Sequence, residues 1–215
     1  MKKPGDLTAT RREYIANGLE QSDLQANPIA QFASWMDETL KEMPDDATSM
    51  TLATANAQGM PSARIVLLKH FDEQGFAWYT DFRSQKGDDL AENPQAEIMF
   101  YWYPFERQVR IQGKVVKLSS EQGKKYFNQR PVGSRISAAV SHQSHPVASR
   151  NVLESAVEQM EQKYPEGDIP HPDYWGGYLL IPSRFEFWQG RENRLHDRFQ
   201  YNLQDGEWSV QRLQP

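Results

Sequence analysis

The stretch ARIVLLKHFDEQGFAWYT, residues 63–80, decides the fold class of this 215-residue chain. It contains two runs rich in β-branched and aromatic residues, separated by the polar, glycine-containing link DEQG. Such runs are typical of β-strands, and such a link is typical of a tight turn. The stretch therefore predicts two short neighbouring strands, ARIVLLKHF (63–71) and FAWYT (76–80).

Runs of the same kind lie on both sides of this stretch. The predicted strands are MTLAT (50–54), EIMFYW (97–102), RQVRIQGKVVKL (107–118), and, near the C-terminus, residues 178–181, 184–188, 198–203 and 208–213, the last two joined at Asp205-Gly206. Helical patterns cover residues 6–42 as two helices, with Asn27-Pro28 as N-cap and first turn, and residues 84–93, 149–164 and a segment that begins at the Ser119 capping box. Many short strands with few helices favour an antiparallel barrel over a doubly wound sheet.

Composition limits the class of protein further. With 38% hydrophobic residues, the chain can bury one core, and residues 1–215 are expected to form a single domain. Cysteine is absent, which excludes disulfides and thiolate metal sites and fits a cytoplasmic protein. The net charge of −5 disfavours nucleic acid as a partner, and no apolar run predicts a signal peptide or a membrane span.

Several common catalytic motifs are missing. The sequence has no G-x-G-x-x-G, no G-x-x-x-x-G-K-[ST] and no G-x-S-x-G motif. His142 and His145 have the spacing of metal ligands, but they lie in the polar segment SHQSHP without a nearby acidic residue. We therefore predict a polar loop there and no metal site.

The segment FWQGRENRLHDRF, residues 187–199, carries the most suggestive pattern. In an extended chain Arg194, His196 and Arg198 share one face. Three cationic or protonatable groups on one face are explained by an anionic or electron-rich ligand, or equally by a solvated strand with acidic neighbours. Trp188, followed by an amide and a glycine, would suit the wall of a planar ring, which favours the ligand.

Three further segments place cations where an anion could bind. Alternation puts Arg64 and Lys69 near opposite ends of one strand, on different faces, although a buried strand with charged ends is the simpler interpretation. Lys86 begins a predicted helix, where a phosphate would gain from free N–H groups and the helix dipole. Tyr126 and Arg130, with Ser134 four residues further on, could converge on one phosphate if the helix continues or turns at Pro131, or could simply end a helix.

Taken in order, these motifs resemble those of the pyridoxamine 5′-phosphate oxidases from about Arg11 to Pro215. The most specific part is FWQG…RLHDRF, followed by RL-x-P at residues 212–215. The resemblance implies an FMN-binding split β-barrel, mainly β with flanking helices, and a homodimer with FMN at the interface. Residues 1–43 would form an N-terminal helical segment, and residues 175–215 would complete the active site and the dimer region.

The resemblance also implies roles for individual residues. Those expected to contact FMN are Arg64, Ile65, Val66, Leu67, Tyr79, Thr80, Gln85, Lys86, Gln108, Gln143, Ser144, Trp188 and Arg198. Those expected to contact the substrate are Lys69, Tyr126, Arg130, Ser134, Arg11, Tyr14 and Asp46, together with Arg194 and His196 as the catalytic pair. The family usually has Arg-Lys where this chain has Gln85-Lys86, so either Arg83 replaces the missing charge or FMN binds more weakly.

The reaction implied by the resemblance is oxidation of pyridoxamine or pyridoxine 5′-phosphate to pyridoxal 5′-phosphate, with oxygen as acceptor and hydrogen peroxide as product. Two alternatives remain open. Phenazine-forming flavin oxidases share the barrel, an RLH-like end and an SQKG segment. A non-catalytic flavin- or haem-binding barrel is the other alternative, but it leaves the Arg130 cluster without a function. The sequence does not distinguish amine from alcohol substrates.

Overall fold

The computed structural model describes residue 5, residues 7–10 and residues 12–215. Within this part of the chain the α-helices are α1 Pro28–Glu42, α2 Gln85–Glu92, α3 Ser120–Gln129, α4 Val132–Val140 and α5 Arg150–Lys163. The strands are β1 Ser49–Ala55, β2 Pro61–Leu67, β3 His70–Asp72, β4 Gly75–Asp81, β5 Gln95–Trp102, β6 Arg107–Lys117, β7 Trp175–Gln189, β8 Asp197–Gln204 and β9 Glu207–Leu213. None of the helices described is long and apolar enough to cross a membrane.

The strands form one sheet in the order β2-β1-β5-β6-β7-β4-β3, and β8 pairs with both β7 and β9. Pairings β1–β2, β3–β4, β4–β7, β7–β8 and β8–β9 are all antiparallel. The predicted antiparallel, mainly β architecture with flanking helices is thus confirmed. The chain divides into a central unit, Thr48–Ile98 with Gln112–Ser183, and a terminal unit, Met1–Ala47 with Met99–Ile111 and Arg184–Pro215.

The core of the central unit is aromatic and positions the elements around a cavity. Nearly every side chain of β4 is buried, including Trp78, which pairs across the strands with Tyr178. A second cluster joins Phe127 of α3, Ile136 of α4 and Trp175 at the start of β7. Because this cluster fixes the end of α3 against β7, it also fixes the residues that follow the helix.

The terminal unit packs α1 against strand side chains. Asn27 caps α1 by accepting a hydrogen bond from the Ile29 N–H at 2.8 Å, as predicted. The buried face of α1 includes Trp35, whose ring meets Phe187 edge-on at 5.2 Å. The predicted turn at Asp205-Gly206 is confirmed: both residues have positive φ, which matches the twist of a tight hairpin.

The predicted helix at residues 6–42 is largely wrong before α1. Residues 12–20 are not helical, and among the described residues before α1 the only helical element is a short 3-10 turn, Gln21–Asp23. The N–H groups of Ala16 and Leu19 donate instead to the carboxylates of Glu106 and Asp197, at 2.9 and 3.0 Å. Tertiary hydrogen bonds have therefore replaced the helical ones that the local pattern predicted.

The predicted strand 63–71 is divided into β2 and β3. β2 ends at Leu67, after which the N–H of Leu68 donates to Thr48 O and that of Lys69 donates to Ala77 O, both at 2.9 Å. The chain thus changes strand partner within two residues. This break brings Lys69 and Arg64 to one cavity, as described below.

The cap of α1 gives a test of the terminal unit. Replacing Asn27 by alanine removes the acceptor for the Ile29 N–H, so we expect the free energy of unfolding to fall by about 1 kcal/mol in urea titrations. N27S, which keeps a capping oxygen, should stay within a few tenths of a kcal/mol. Equal losses in both variants would contradict a capping role.

Candidate active site

A cavity of about 480 Å³ opens in the central unit. Its lining residues are Ala63, Arg64, Ile65, Val66, Leu67, Lys69, Tyr79, Thr80, Gln85, Lys86, Tyr126, Arg130, Gln143, Ser144 and Trp175. All but Ala63 and Trp175 belong to the sets that the sequence resemblance implied. The structure therefore brings predicted residues from five separate segments to one place.

β2 forms one wall of this cavity, to which it contributes residues 63–67. The strand is at the end of the sheet order and pairs with β1, so peptide groups along its other edge can bind a ligand. Arg64 and Lys69 both line the cavity, which corrects the prediction that they occupy different faces of one strand. The reason is the break after Leu67, which ends the alternation between them.

Lys86 provides a buried positive charge. Only 5% of the residue is exposed, and its Nζ donates to Gln143 Oε1 at 2.7 Å, Ser84 Oγ at 2.9 Å and Thr80 Oγ1 at 3.2 Å. Burial lowers the pKa of Lys86 to about 8, and the positive charge of Arg64 adds to this shift. An anion bound beside the two cations would offset both effects.

Arg64 is held by neutral oxygens. Its Nη1 donates to Thr54 Oγ1 at 2.7 Å and Leu52 O at 3.1 Å, and its Nη2 donates to the hydroxyl of Ser62. Asp89 of α2 accepts hydrogen bonds from Thr54 and Ser62 and lies 3.8 Å from Arg64. The helix that carries Lys86 therefore also fixes the residues around Arg64.

The start of α2 is open to an anion. Ser84 is the N-cap by position, but its hydroxyl donates to Asp81 O at 2.6 Å and makes no cap hydrogen bond. The residues of the first turn, Gln85 and Lys86, both line the cavity. Their backbone N–H groups and the helix dipole favour a negative charge at this position.

Arg83 does not replace the charge missing at Gln85. Its guanidinium is paired with Asp81 through two contacts of 3.0 and 2.7 Å, donates to Ser141 O at 2.9 Å, and stacks over Tyr174 at 3.3 Å. Because these partners fix it outside the cavity lining, the interpretation that Arg83 substitutes for an arginine at position 85 is wrong.

The aromatic end of the cavity contains a further cation, Arg130. The rings of Tyr79 and Tyr126 stack at 4.0 Å, and Arg130 lies over the ring of Trp175 at 4.6 Å. Nη1 of Arg130 is buried without a hydrogen-bond partner among the described residues, and burial lowers the pKa of this arginine. Ser134 lies beyond Pro131 in α4, half-buried and outside the cavity lining.

The terminal unit holds a separate aromatic group. The rings of Trp188 and His196 are 4.6 Å apart, and Tyr14 meets both edge-on, at 5.4 and 5.1 Å. The backbone N–H of Arg191 donates to Nδ1 of His196 at 3.0 Å, so we assign the proton of the neutral imidazole to Nε2.

Charge near His196 favours that neutral form. Burial is the largest cause that lowers the pKa of His196, and the positive charges of Arg194 and Arg198 add to it. Arg198 is itself paired with the buried Glu186, Nε to Oε1 at 2.8 Å. The imidazole is therefore an N–H donor rather than a cation near neutral pH.

The prediction of one cationic strand face over residues 194–198 is wrong. Arg194 belongs to a 3-10 turn, Glu192–Arg194, and has a φ of 65°, while β8 begins only at Asp197. Leu195, which alternation would direct inward with Asp197, is 69% exposed. Arg194 nevertheless stays near the group, with its Cζ 6.0 Å from the ring centre of Tyr14.

The remaining sequence-implied residues lie elsewhere. Gln108 is half-buried in β6, and Asp46 is exposed in the turn after α1. Arg11 lies outside the described residues. His142 and His145 stack at 3.6 Å, and across the described chain no group of three or more acidic residues and histidines could hold a metal ion.

Three functional candidates were missed by sequence reasoning. Trp175 was not among the predicted site residues, yet it stacks with Tyr79 at 5.9 Å and lies under Arg130. Glu186 could have been found, because it precedes Trp188 by two residues on one strand, and alternation puts both side chains on the same face. Glu106 has no local signal, since its partners lie about ninety residues away.

Comparisons with known proteins identify the family of the chain. A family model described as pyridoxamine 5′-phosphate oxidase matches residues 36–164. A second model, for the pyridoxine 5′-phosphate oxidase C-terminal dimerisation region, matches residues 175–215. The chain belongs to the pyridoxamine 5′-phosphate oxidase family. The prediction from the RLHDRF motif is thereby confirmed.

Curated relatives in this family are similar over almost their full length. A pyridoxine/pyridoxamine 5′-phosphate oxidase of Crocosphaera subtropica is 47% identical over 98% of this chain and 100% of its own. One of Vibrio cholerae is 48% identical over 98% and 100%. Because these relatives are enzymes, the prediction that this family member is an enzyme is also confirmed.

Solved structures support the fold class. PhzG from Burkholderia lata, in complex with tetrahydrophenazine-1-carboxylic acid, has a TM-score of 0.86 at 28% identity, covering 93% of this chain and 99% of its own. A pyridoxamine 5′-phosphate oxidase-related, FMN-binding protein from Nostoc punctiforme has a TM-score of 0.71 at 20% identity, covering 89% and 100%. The predicted split-barrel fold of the oxidase family is confirmed.

Lys86 gives a pH-dependent test of the site. Its pKa is lowered from 10.5 to about 8 in the folded protein, so between these values the unfolded chain binds more protons. The stability of the wild type relative to K86M should therefore rise with pH in this window, by at most about 1.4 kcal/mol per pH unit. Urea titrations at several pH values measure this difference.

The matched control is Lys124, which is exposed on α3. The difference between the wild type and K124M should be flat over the same window. If the K86M difference is equally flat, burial does not lower the pKa of Lys86.

Proposed function

We propose that the protein catalyses the FMN-dependent oxidation of pyridoxamine or pyridoxine 5′-phosphate to pyridoxal 5′-phosphate in vitamin B6 metabolism, with oxygen as acceptor and hydrogen peroxide as product. The observation that carries the proposal is a cavity with two cationic groups, Arg64 with Lys86 and Arg130 with Lys69. FMN and the substrate each carry one phosphate. The names of the curated relatives support the same substrates.

The residues around Lys86 fit the phosphate of FMN. Thr80 and Gln143 offer hydrogen-bonding groups next to the buried ammonium, and α2 offers its first-turn N–H groups. The edge of β2, with Ile65 exposed, offers peptide groups and apolar surface for the isoalloxazine ring. When bound, FMN supplies the hydride acceptor that no amino-acid side chain provides.

The residues around Arg130 fit the phosphate of the substrate. Its buried, unpaired Nη1 lacks an acceptor that a phosphate oxygen would supply, and the guanidinium is pre-oriented by Trp175. Tyr126 and Lys69 line the same cavity and add donors. Ser134 completes the proposed set from the adjacent α4, although it does not line the cavity in this structure.

His196 and Arg194 are proposed to orient the reacting end of the substrate. With Nδ1 occupied by the Arg191 N–H, His196 presents Nε2–H as a donor to an oxygen of the substrate. Tyr14 and Trp188 restrict the position of the imidazole ring. This arrangement would hold the carbon that loses the hydride in one orientation.

A homodimer with FMN at the interface completes the proposal, and the match to a dimerisation-region model supports it. Trp188, Arg198 and Gln108 of the terminal unit would then contact FMN, and Arg11, Tyr14 and Asp46 would contact the substrate, as the family resemblance implies. We also propose a cytoplasmic location, consistent with the absence of cysteine.

The direct test is anaerobic reduction of the yellow FMN-loaded protein by pyridoxamine 5′-phosphate. We expect bleaching of the flavin absorbance, then recovery and hydrogen peroxide on admitting oxygen. Failure to bleach would refute the substrate assignment. Bleaching only by a reduced phenazine carboxylate would instead favour the activity suggested by the PhzG likeness.

Substitutions at the catalytic pair test the division of roles. R194A and H196A should lower turnover by about a hundredfold or more while FMN content stays near that of the wild type. The control is L195A, which changes an exposed residue between them and should keep its turnover. Parallel loss of FMN and activity in the two variants would show that the roles are assigned wrongly.

Gln85 tests the phosphate site. The residue is exposed at the start of α2 and lines the cavity, so Q85R should add a charge-assisted contact and tighten FMN binding by about tenfold. Flavin fluorescence titration measures the affinity, with Q85E as the control of opposite charge. Weaker binding in Q85R than in the wild type would contradict a phosphate at this position.

A further inference from the structure

Glu106 has an unusual backbone and a buried side chain. It lies between a 3-10 turn, Tyr103–Phe105, and β6, with a φ of 52° in the left-handed region. Glycine adopts that conformation with less strain. A glutamate at this position is therefore expected to have a side chain that makes specific contacts. Only 5% of the residue is exposed.

The carboxylate of Glu106 binds the N-terminal segment at three points. Oε2 accepts from the N–H groups of Ile15 and Ala16, at 2.8 and 2.9 Å, and Oε1 accepts from Arg12 Nη2 at 2.8 Å. Burial alone would raise the pKa of Glu106, but these three contacts outweigh it and lower the pKa. The carboxylate is therefore charged and accepts three hydrogen bonds from one short segment.

We call residues 12–20 the strap. Arg12 also lies over the ring of Tyr103 at 4.2 Å, and near the other end of the strap the N–H of Leu19 donates to the buried Asp197 at 3.0 Å. An irregular N-terminal segment is usually mobile, because few contacts oppose its conformational entropy. These contacts instead fix the strap at both ends.

The fixed strap places Tyr14 against the proposed catalytic group. Tyr14 contacts the rings of both Trp188 and His196. Glu106 is also bonded close to Trp188, because its backbone carbonyl accepts a hydrogen bond from the Gly190 N–H at 2.8 Å. A Cβ at Gly190 would lie 2.6 Å from the Tyr14 ring, so the strap, the glycine and Glu106 are closely packed.

We propose that Glu106 is a positioning residue, whose carboxylate anchors the strap so that Tyr14 is held over His196 and Trp188 and contributes to substrate binding. The role in binding rests on the function proposed above, whereas the anchoring does not. His196 is oriented separately, by the Arg191 N–H. Loss of the anchor should therefore weaken substrate binding more than it slows the chemical step.

The first experiment follows the strap without substrate. Hydrogen–deuterium exchange of the FMN-loaded protein should show that a peptide with Ile15 and Ala16 exchanges about tenfold faster or more in E106Q, because charge-assisted hydrogen bonds are lost. E106G is the second variant, since glycine accepts the left-handed backbone and removes only the side chain. Peptides from β8 should be unchanged in both.

The matched control is E13Q, the same chemical change at an exposed glutamate of the strap. Its exchange should equal that of the wild type. Unchanged exchange in E106Q and E106G would overturn the anchoring, whatever the substrate of the enzyme is.

The second experiment measures kinetics with pyridoxamine 5′-phosphate. In E106Q and E106G we expect KM to rise about tenfold, with kcat within about twofold and FMN content unchanged. Faster exchange with an unaltered KM would overturn the positioning role. If the wild type does not oxidise this substrate, the proposed function fails, and the exchange data alone decide whether Glu106 is the anchor.

Discussion

Positive charge buried with too few negative partners is the constraint on which the site depends. Lys86 is surrounded by neutral oxygens, and Arg130 keeps a buried nitrogen without an acceptor. Burial of such groups costs free energy that a bound phosphate would offset. Packing of the aromatic cluster around Phe127 and Trp175 fixes the end of α3 and so keeps Arg130 at this position despite that cost. Ligand binding and stability are therefore linked at these positions.

The backbone around the cavity also leaves hydrogen-bonding groups available to a ligand. β2 changes to β3 at Leu68 and Lys69, so one short segment contributes an edge of peptide groups and two cations. The start of α2 is left without a side-chain cap, because the hydroxyl of Ser84 is used elsewhere. The broken strand and the uncapped helix are both irregular, and both lie where a ligand can supply the missing hydrogen bonds.

Local features were predictable from the sequence. The strand positions, the Asn27 cap and the Ser119 capping box depend on neighbouring residues, and the structure confirms both caps. Most of the strands are also confirmed, although the predicted strand 63–71 is divided after Leu67 and the predicted strands 178–181 and 184–188 are parts of one strand, β7. The cavity residues were found through family motifs, because neither periodicity nor charge alone distinguishes Arg130 from an ordinary helix end. The strap and the turn at Asn193 and Arg194 were missed, since contacts such as Ala16 with Glu106 and Leu19 with Asp197 join residues 90 and 178 positions apart.

Each of the two units is built from separate stretches of the chain, and this affects folding. The terminal unit contains Met1–Ala47, Met99–Ile111 and Arg184–Pro215, and the central unit contains the two stretches between them. Neither unit can be expressed as one continuous fragment. Because the first and last stretches belong together, the terminal unit cannot be completed on the ribosome before the C-terminus emerges. Such non-local topology is expected to slow folding and to make C-terminal truncations far more damaging than their length suggests.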